Sequence, residues 1–85
     1  MTEAEVHAVV TGLLRELLEK PGLELKPGDR EKDIPGFDSG MKVSLVLAVE
    51  ERFGIRMRGR EIDALRQVGD WTALVLRHRA GSAGP

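Results

Sequence analysis

The stretch "DIPGFDSGMKVSLVLAVEERFGI", Asp33–Ile55, decides the fold of this chain. A turn containing Pro and Gly leads into an Asp-Ser pair, and a long apolar run then ends at Phe53-Gly54. Asp is favoured as a helix N-cap and Gly just past a helix C-terminus. The stretch therefore predicts a helix from about Ser39 to Phe53 with Asp38 as its N-cap. Its predicted core-facing residues are Leu45, Val46, Val49 and Phe53.

The same helix carries a second apolar flank. Val43 and Leu47 are four residues apart, so they lie together on one face beside the predicted core stripe. This is more apolar surface than contact with one core requires. The surplus indicates a contact with a partner or a cargo.

The N-terminal segment predicts an amphipathic helix from about Glu3 to Glu19. Its apolar residues recur at intervals of three and four, as Val6, Val9, Val10, Leu13, Leu14, Leu17 and Leu18. Thr2 and Glu5 have the spacing of a capping box. Lys20-Pro21-Gly22 supplies a cationic last turn and a stop.

Two further helices are predicted in the C-terminal third. A short one covers about Gly59 to Leu65, with Ile62 and Leu65 facing inward. A longer one covers about Val68 to Arg79, and its predicted inward residues are Trp71, Leu74 and Val75. No stretch alternates with a period of two for long enough to indicate a sheet. The prediction is an all-α four-helix bundle of three longer helices and one short helix.

A long loop joins the first two helices. It runs from Lys20 to Phe37 and contains three Pro-Gly pairs. Loops of this length in a small domain are usually functional or disordered. We expect an ordered loop, pinned to the bundle by Leu23, Leu25, Ile34 and Phe37. Because the loop ends just before Ser39, loop and helix together present that hydroxyl.

Composition limits the class of protein. With 85 residues the chain accommodates one domain, predicted as residues 1–79, and Ala80–Pro85 has the composition of a disordered tail. The absence of cysteine excludes disulfides, thiolate metal sites and a cysteine nucleophile, and fits a reducing compartment. The N-terminus has neither the pattern of a signal peptide nor that of a membrane span. We therefore expect a cytoplasmic protein.

Charge argues against nucleic-acid binding. The net charge of −1 lacks the basic excess that binding to a phosphate backbone needs. A helix-turn-helix using Arg56 to Arg66 is the weaker alternative, because acidic residues interleave with these arginines.

The sequence also argues against catalysis by the chain itself. A serine hydrolase needs a base and an orienting acid near the nucleophile, whereas the histidines, His7 and His78, belong to the first and last predicted helices. Acidic pairs such as Glu50-Glu51 are typical of a solvated helix face. The "PGFDSG" turn lacks the lysine of a phosphate-binding loop. We predict that the protein is not an enzyme.

Three motifs in their order along the chain are more specific than any one alone. "GFDS" ends at Ser39, "LVLAVEERFGI" closes the second helix at Ile55, and "VGDW" opens the last helix. In this order the chain resembles the acyl carrier proteins, the phosphopantetheine-binding family, over about residues 3–79. The resemblance implies a four-helix bundle with a long first loop. It also implies that Ser39 is esterified by 4′-phosphopantetheine from coenzyme A, through a dedicated transferase that uses magnesium.

The resemblance gives Asp38 a role in the turn that the transferase recognises, besides its role as N-cap. A phosphodiester on Ser39 would lie at the N-terminus of a helix, where free N–H groups and the helix dipole favour an anion. The arm would carry an acyl or aminoacyl group as a thioester, attached by a loading ligase. We expect a monomer.

The sequence departs from the family at several positions. Many carrier proteins have leucine after the modified serine, and here Gly40 removes that apolar side chain. Met41, Lys42 and Ser44 stand where acids are common, and three arginines, of which Arg56 is the first, follow the helix. These changes favour a specialised carrier with its own enzymes. The predicted partner contacts are Gly40, Met41, Val43, Leu47, Glu50, Glu51 and Arg56. The alternative is a carrier-fold interaction module that is never modified.

Overall fold

The computed structural model describes residues 1–82, and this range contains four α-helices. They are α1 (Glu3–Leu18), α2 (Ser39–Phe53), α3 (Gly59–Asp63) and α4 (Val68–Ser82). The described part of the chain contains no β-strand, only one isolated antiparallel bridge between Arg30 and Gln67. The predicted all-α bundle of three longer helices and one short helix is confirmed.

Helix α1 packs against both α2 and α4. Its Val6, Val10 and Leu14 are fully buried, as the periodicity predicts. The predicted capping box is also confirmed: Thr2 Oγ1 accepts the Glu5 N–H at 3.1 Å, and Glu5 Oε1 accepts the Thr2 N–H at 2.8 Å. The hydrogen bond from the Thr2 backbone N–H is the main cause of a lowered pKa at Glu5, and the bond with the Thr2 side chain is the second.

Helix α1 ends at Leu18, one residue before the predicted bound. The C-cap is Glu19, in the left-handed conformation at φ 55°, and its N–H donates to Arg15 O and Glu16 O. A non-glycine residue in this region costs about 1–2 kcal/mol. Because Glu19 adopts the left-handed conformation, the helix ends before Lys20-Pro21-Gly22.

Helix α2 matches the predicted element at both ends. Leu45, Val46, Val49 and Phe53 are buried. Gly54 closes the helix at φ 67°, a conformation that glycine adopts without a steric penalty, and its N–H donates to Glu50 O at 2.9 Å. The predicted inward residues of the last helix, Trp71, Leu74 and Val75, are buried as well.

The bounds of the last two helices differ from the predicted ones. Helix α3 ends at Asp63, two residues early, although Leu65 is still buried. Helix α4 continues to Ser82, so the first three residues of the predicted tail are helical. The rest of that tail, 83–85, lies outside the described residues. Within residues 1–82, no helix has both the length and the apolar character needed to cross a membrane.

The long loop is ordered and packed, as expected. Ile34 is buried, while Leu23, Leu25 and Phe37 pack against the core with part of their surface exposed. Side chains of α1 hold the loop: Arg15 Nε donates to Leu23 O at 2.6 Å, and His7 Nε2 lies 2.7 Å from Leu25 O. A short 3₁₀ turn, Glu31–Asp33, forms within it.

Backbone bonds fasten the loop to the start of α4. Gly69 N donates to Pro27 O at 2.8 Å, Val68 N to Asp29 O at 2.9 Å, and Glu31 N to Arg66 O at 2.9 Å. The loop therefore reaches α2 along a fixed path that passes over α4.

Candidate functional site

Ser39 is the first residue of α2, and its side chain is exposed. Asp38 precedes it in extended conformation, and Asp38 Oδ1 accepts the Met41 N–H at 2.8 Å. The Asp38 carbonyl accepts the Lys42 N–H, also at 2.8 Å. The predicted N-cap is confirmed. These two bonds leave the N–H groups of Ser39 and Gly40 without a partner among residues 1–82.

This end of α2 suits an anion. Unpaired N–H groups and the helix dipole give a helix N-terminus a partial positive charge. The first turn of α2 contains no acidic residue. A Cβ atom added at Gly40 would meet only Asp38 Oδ1, at 3.6 Å, so the space beside the hydroxyl is open. Ser39 and Gly40 could therefore hold a phosphodiester of the kind that 4′-phosphopantetheine would form.

A polar network one turn along α2 from Ser39 has no signal in the sequence. Lys42 Nζ lies 3.1 Å from Glu31 Oε1 and donates to Leu65 O at 3.1 Å. The other Glu31 oxygen accepts the indole N–H of the buried Trp71 at 2.6 Å. The network joins α2, the 3₁₀ turn, the α3–α4 link and α4. Lys42, noted in the sequence only as a departure from the family, fixes the first turns of α2.

Neither histidine is bonded to Ser39. His7 is bound to the loop carbonyl of Leu25, and His78 Nε2 lies 3.0 and 3.1 Å from the two carboxylate oxygens of Glu61. The site therefore lacks the serine–histidine pair of a hydrolase. No group of three His, Cys, Asp or Glu side chains in residues 1–82 is placed to hold a metal ion.

The predicted partner contacts, apart from Arg56, lie on α2. Val43 and Leu47 are 59% and 61% exposed, which makes them the most exposed large apolar side chains of the helix. Gly40, Glu51 and Arg56 are also exposed, while Met41 is half-buried.

Glu50 has a contact that the sequence did not indicate. Its Oε2 accepts the Met57 N–H at 2.7 Å and so fixes the segment that follows α2. Ile55 and Met57 of that segment are buried, whereas Arg56 and Arg58 between and after them are exposed. The extended backbone thus displays its arginines on the surface.

Comparison with solved structures gives the fold a family context. No protein-family model and no curated protein sequence matches the chain. A crystal structure of an acyl carrier protein from Thermotoga maritima is similar with a TM-score of 0.85 and 24% identity, covering 94% of this chain and 93% of that one. A solution structure of a holo acyl carrier protein from Geobacter metallireducens has a TM-score of 0.84 and 23% identity, with coverages of 92% and 90%. The chain therefore has the fold of the acyl carrier proteins.

Proposed function

We propose that the protein is an acyl carrier protein whose Ser39 bears a 4′-phosphopantetheine arm. The observation that carries the proposal is the exposed Ser39 side chain at the first residue of α2, beside the N–H groups of Ser39 and Gly40, which have no partner within residues 1–82. The likeness of the fold to acyl carrier proteins supports it. When bound, the arm supplies a thiol that holds an acyl or aminoacyl group as a thioester.

In the attachment reaction Ser39 Oγ forms a bond to the phosphorus next to the pantetheine of coenzyme A. The bond from that phosphorus to the bridging pyrophosphate oxygen breaks, adenosine 3′,5′-bisphosphate leaves, and the hydroxyl proton is released. Asp38 keeps the hydroxyl in place by capping α2. A transferase supplies the base and the magnesium, and the chain itself performs no catalysis.

The carrier serves a specialised pathway in the cytoplasm. Its surface after α2 displays Arg56, Arg58 and Arg60, all exposed. Charges at the edge of an interface guide the encounter with matching partners and disfavour others. The partners are the transferase, a loading ligase and pathway enzymes, which contact α2 at Val43 and Leu47. Tethering on the arm raises the effective concentration of the intermediate at each enzyme.

Intact mass measurement tests the attachment. The purified chain is incubated with coenzyme A, magnesium and a broad-specificity phosphopantetheinyl transferase. We expect wild type and Ser44→Ala to gain the mass of one phosphopantetheinyl group, and Ser39→Ala to gain none. Ser44 is the matched control because it is an exposed serine on the same helix. An unmodified wild type, under conditions that load a control carrier, would overturn the proposal.

Gly40 favours a second candidate, a carrier-fold interaction module that is never modified. At this position the chain lacks an apolar side chain for a transferase to contact. The same experiment separates the two candidates, because a module of this kind stays at its unmodified mass.

A further inference from the structure

Exposed arginines cluster at the end of the bundle where α2 and α4 finish and α3 begins. They are Arg52, Arg56, Arg58, Arg60 and Arg79, and we call this set the arginine patch. Residues 52–60 contain four arginines and no acidic residue. Because the whole chain has a net charge of −1, the residues outside 52–60 sum to −5. The patch is therefore positive on a chain that is otherwise negative.

Contacts between the helices bring the members of the patch to one end of the bundle. Arg79 Nη1 donates to Phe53 O at 3.4 Å, which joins the end of α4 to the end of α2. His78 Nε2, next to Arg79 in the chain, lies 3.0 Å from Glu61 Oε1 of α3. That same oxygen accepts the Arg58 N–H at 2.9 Å. The arginines of α2, of the segment after it, of α3 and of α4 thus share one surface.

The backbone that carries the central arginines is held in place. Ile55 and Met57 are buried, and Glu50 Oε2 accepts the Met57 N–H at 2.7 Å. Successive side chains of an extended segment point to opposite sides, so Arg56 and Arg58 both face solvent. A backbone fixed before a partner arrives limits the ordering cost of binding.

The charge of the arginine patch is not neutralised within residues 1–82. This range contains two ion pairs, and neither includes an arginine of the patch. Glu50 and Glu61 already accept backbone N–H groups. Glu51 is exposed, but one carboxylate does not balance five guanidinium groups. A guanidinium binds a carboxylate through two parallel hydrogen bonds, so the patch selects carboxylates.

The arginine patch lies away from Ser39. Ser39 is the first residue of α2 and Phe53 is its last, so a rise of 1.5 Å per residue puts about 21 Å between them. The exposed Val43 and Leu47 lie between these two ends on the same helix. A partner bound to the patch can therefore extend over the apolar flank towards Ser39.

The distribution of charge favours a protein partner over a nucleic acid or a membrane. A DNA backbone or an anionic bilayer is negative over a wide area, so the net −5 outside residues 52–60 would repel it. A surface that inserts into a bilayer presents apolar side chains, whereas Phe53 at this end of the bundle is buried. Protein interfaces combine an apolar centre with a polar rim and are enriched in arginine. Val43 and Leu47 beside the patch fit that arrangement.

We propose that the arginine patch docks the protein on a partner enzyme whose contact surface is rich in Asp and Glu. Val43 and Leu47 form the apolar centre of the interface, and the arginines bind carboxylates at its rim. The inference rests on the proposed function for the presence of partner enzymes. It adds the sign of the charge that their docking surface carries.

Photo-cross-linking identifies the partner. Gly59, between two arginines of the patch, and Gly28, in the long loop, both have open space at their Cβ positions. Gly59→benzoylphenylalanine and Gly28→benzoylphenylalanine are each loaded on Ser39 and irradiated in an extract of the cells that produce the protein. We expect a product specific to the Gly59 position. Mass spectrometry should place its cross-link in a segment of the partner that is rich in Asp and Glu.

Association rates with the identified partner test the role of charge. Arg56→Gln with Arg58→Gln removes two positive charges from the patch. Arg30→Gln with Lys32→Gln removes two exposed positive charges from the long loop and is the matched control. At low ionic strength we expect association to slow about ten-fold for the first pair and less than about two-fold for the control, because steering depends on the charges that face the partner. Added salt should reduce this difference, and amide spectra confirm that each variant is folded.

Several outcomes would overturn the inference. They are the absence of a product specific to Gly59, a cross-linked surface without an excess of Asp and Glu, and equal slowing by the two pairs of substitutions. Binding of a mixed-sequence DNA duplex or of phosphatidylglycerol vesicles through Arg56 and Arg58, more tightly than the partner binds, would also overturn it. Intact mass of the same samples reports the loading of Ser39 separately. An unloaded Ser39 contradicts the proposed function itself, whereas loading without the predicted interface leaves that function standing.

Discussion

Glu31 accepts the indole N–H of Trp71 at 2.6 Å and pairs through its other oxygen with Lys42 at 3.1 Å. One carboxylate of the long loop thereby fixes both the start of α2 and the buried side chain of α4. Glu31 and Trp71, which form the shorter of these two contacts, are 40 positions apart in the chain. Lys42, three residues after Ser39 on α2, is thus held by the loop, while Asp38 caps the start of the same helix.

Removing this carboxylate should destabilise the fold. Glu31→Ala leaves a buried indole N–H without an acceptor and Lys42 without its ion pair, and we expect a loss of about 2–3 kcal/mol in the free energy of unfolding. Glu31→Gln keeps an acceptor oxygen and should lose less. Urea unfolding measures both, with the exposed Lys32→Ala as control at under about 0.5 kcal/mol. A Glu31→Ala protein as stable as this control would contradict the role of the network.

The fastening of the loop to α4 depends on a close backbone approach at Gly69. A Cβ atom there would lie 3.0 Å from Pro27 O and 3.4 Å from Pro27 Cβ. We expect Gly69→Ala to lose about 1–2 kcal/mol in the free energy of unfolding, because the loop backbone must move. Gly12→Ala is the matched control: it is inside α1 with open space around it, so it should gain about 0.5–1 kcal/mol. Equal changes for the two variants would argue against the fastening.

Glu61 links α3 to α4 and should make stability depend on pH. The Arg58 N–H and then His78 lower the pKa of Glu61 below its ordinary value of 4.5. A pKa that is lower in the folded state stabilises the fold above the ordinary value, and this contribution is lost as the pH falls through the folded-state pKa.

We therefore expect Glu61→Gln to be less stable than wild type at neutral pH, and the two proteins to converge on acidification below about pH 4.5. Urea midpoints on both sides of that pH measure the effect. Glu16→Gln, at an exposed carboxylate in α1, should follow the wild-type curve. A constant difference between Glu61→Gln and wild type at all pH values would contradict the shift.

Gly40 should limit recognition by a general transferase. The space at its Cβ position is open, with the nearest atom at 3.6 Å, so the backbone here accepts a side chain in place of the glycine hydrogen. We expect this variant to be loaded faster than wild type by a broad-specificity transferase, because it restores the apolar side chain beside Ser39. Gly40→Ala is the control for the gain in helix propensity alone. Unchanged loading of the leucine variant would mean that such a transferase reads only the serine turn.

The helices of this fold could be predicted because their signals are local. Asp38 and Gly54 mark the ends of α2 by their residue types, and Thr2 with Glu5 marks the start of α1. The left-handed Glu19 could not be predicted, because its side chain carries no preference for that conformation.

The site was predictable only in part, for a similar reason. Ser39 was predicted from the order of three motifs along the chain and the resemblance they carry, because an Asp-Ser pair alone is typical of any helix start. The bonds of Glu31 to Lys42 and Trp71, and of Glu50 to the Met57 N–H, join residues without any shared periodicity. These contacts become visible only in three dimensions.

Mass spectrometry of the intact protein from the cells that produce it tests the central claim most directly. Fragmentation of the whole chain assigns any added mass to a residue. The account predicts one phosphopantetheinyl group on Ser39 and none on Ser44, with or without an acyl group on its thiol. A chain without that group on Ser39, or with it on another residue, would contradict the account.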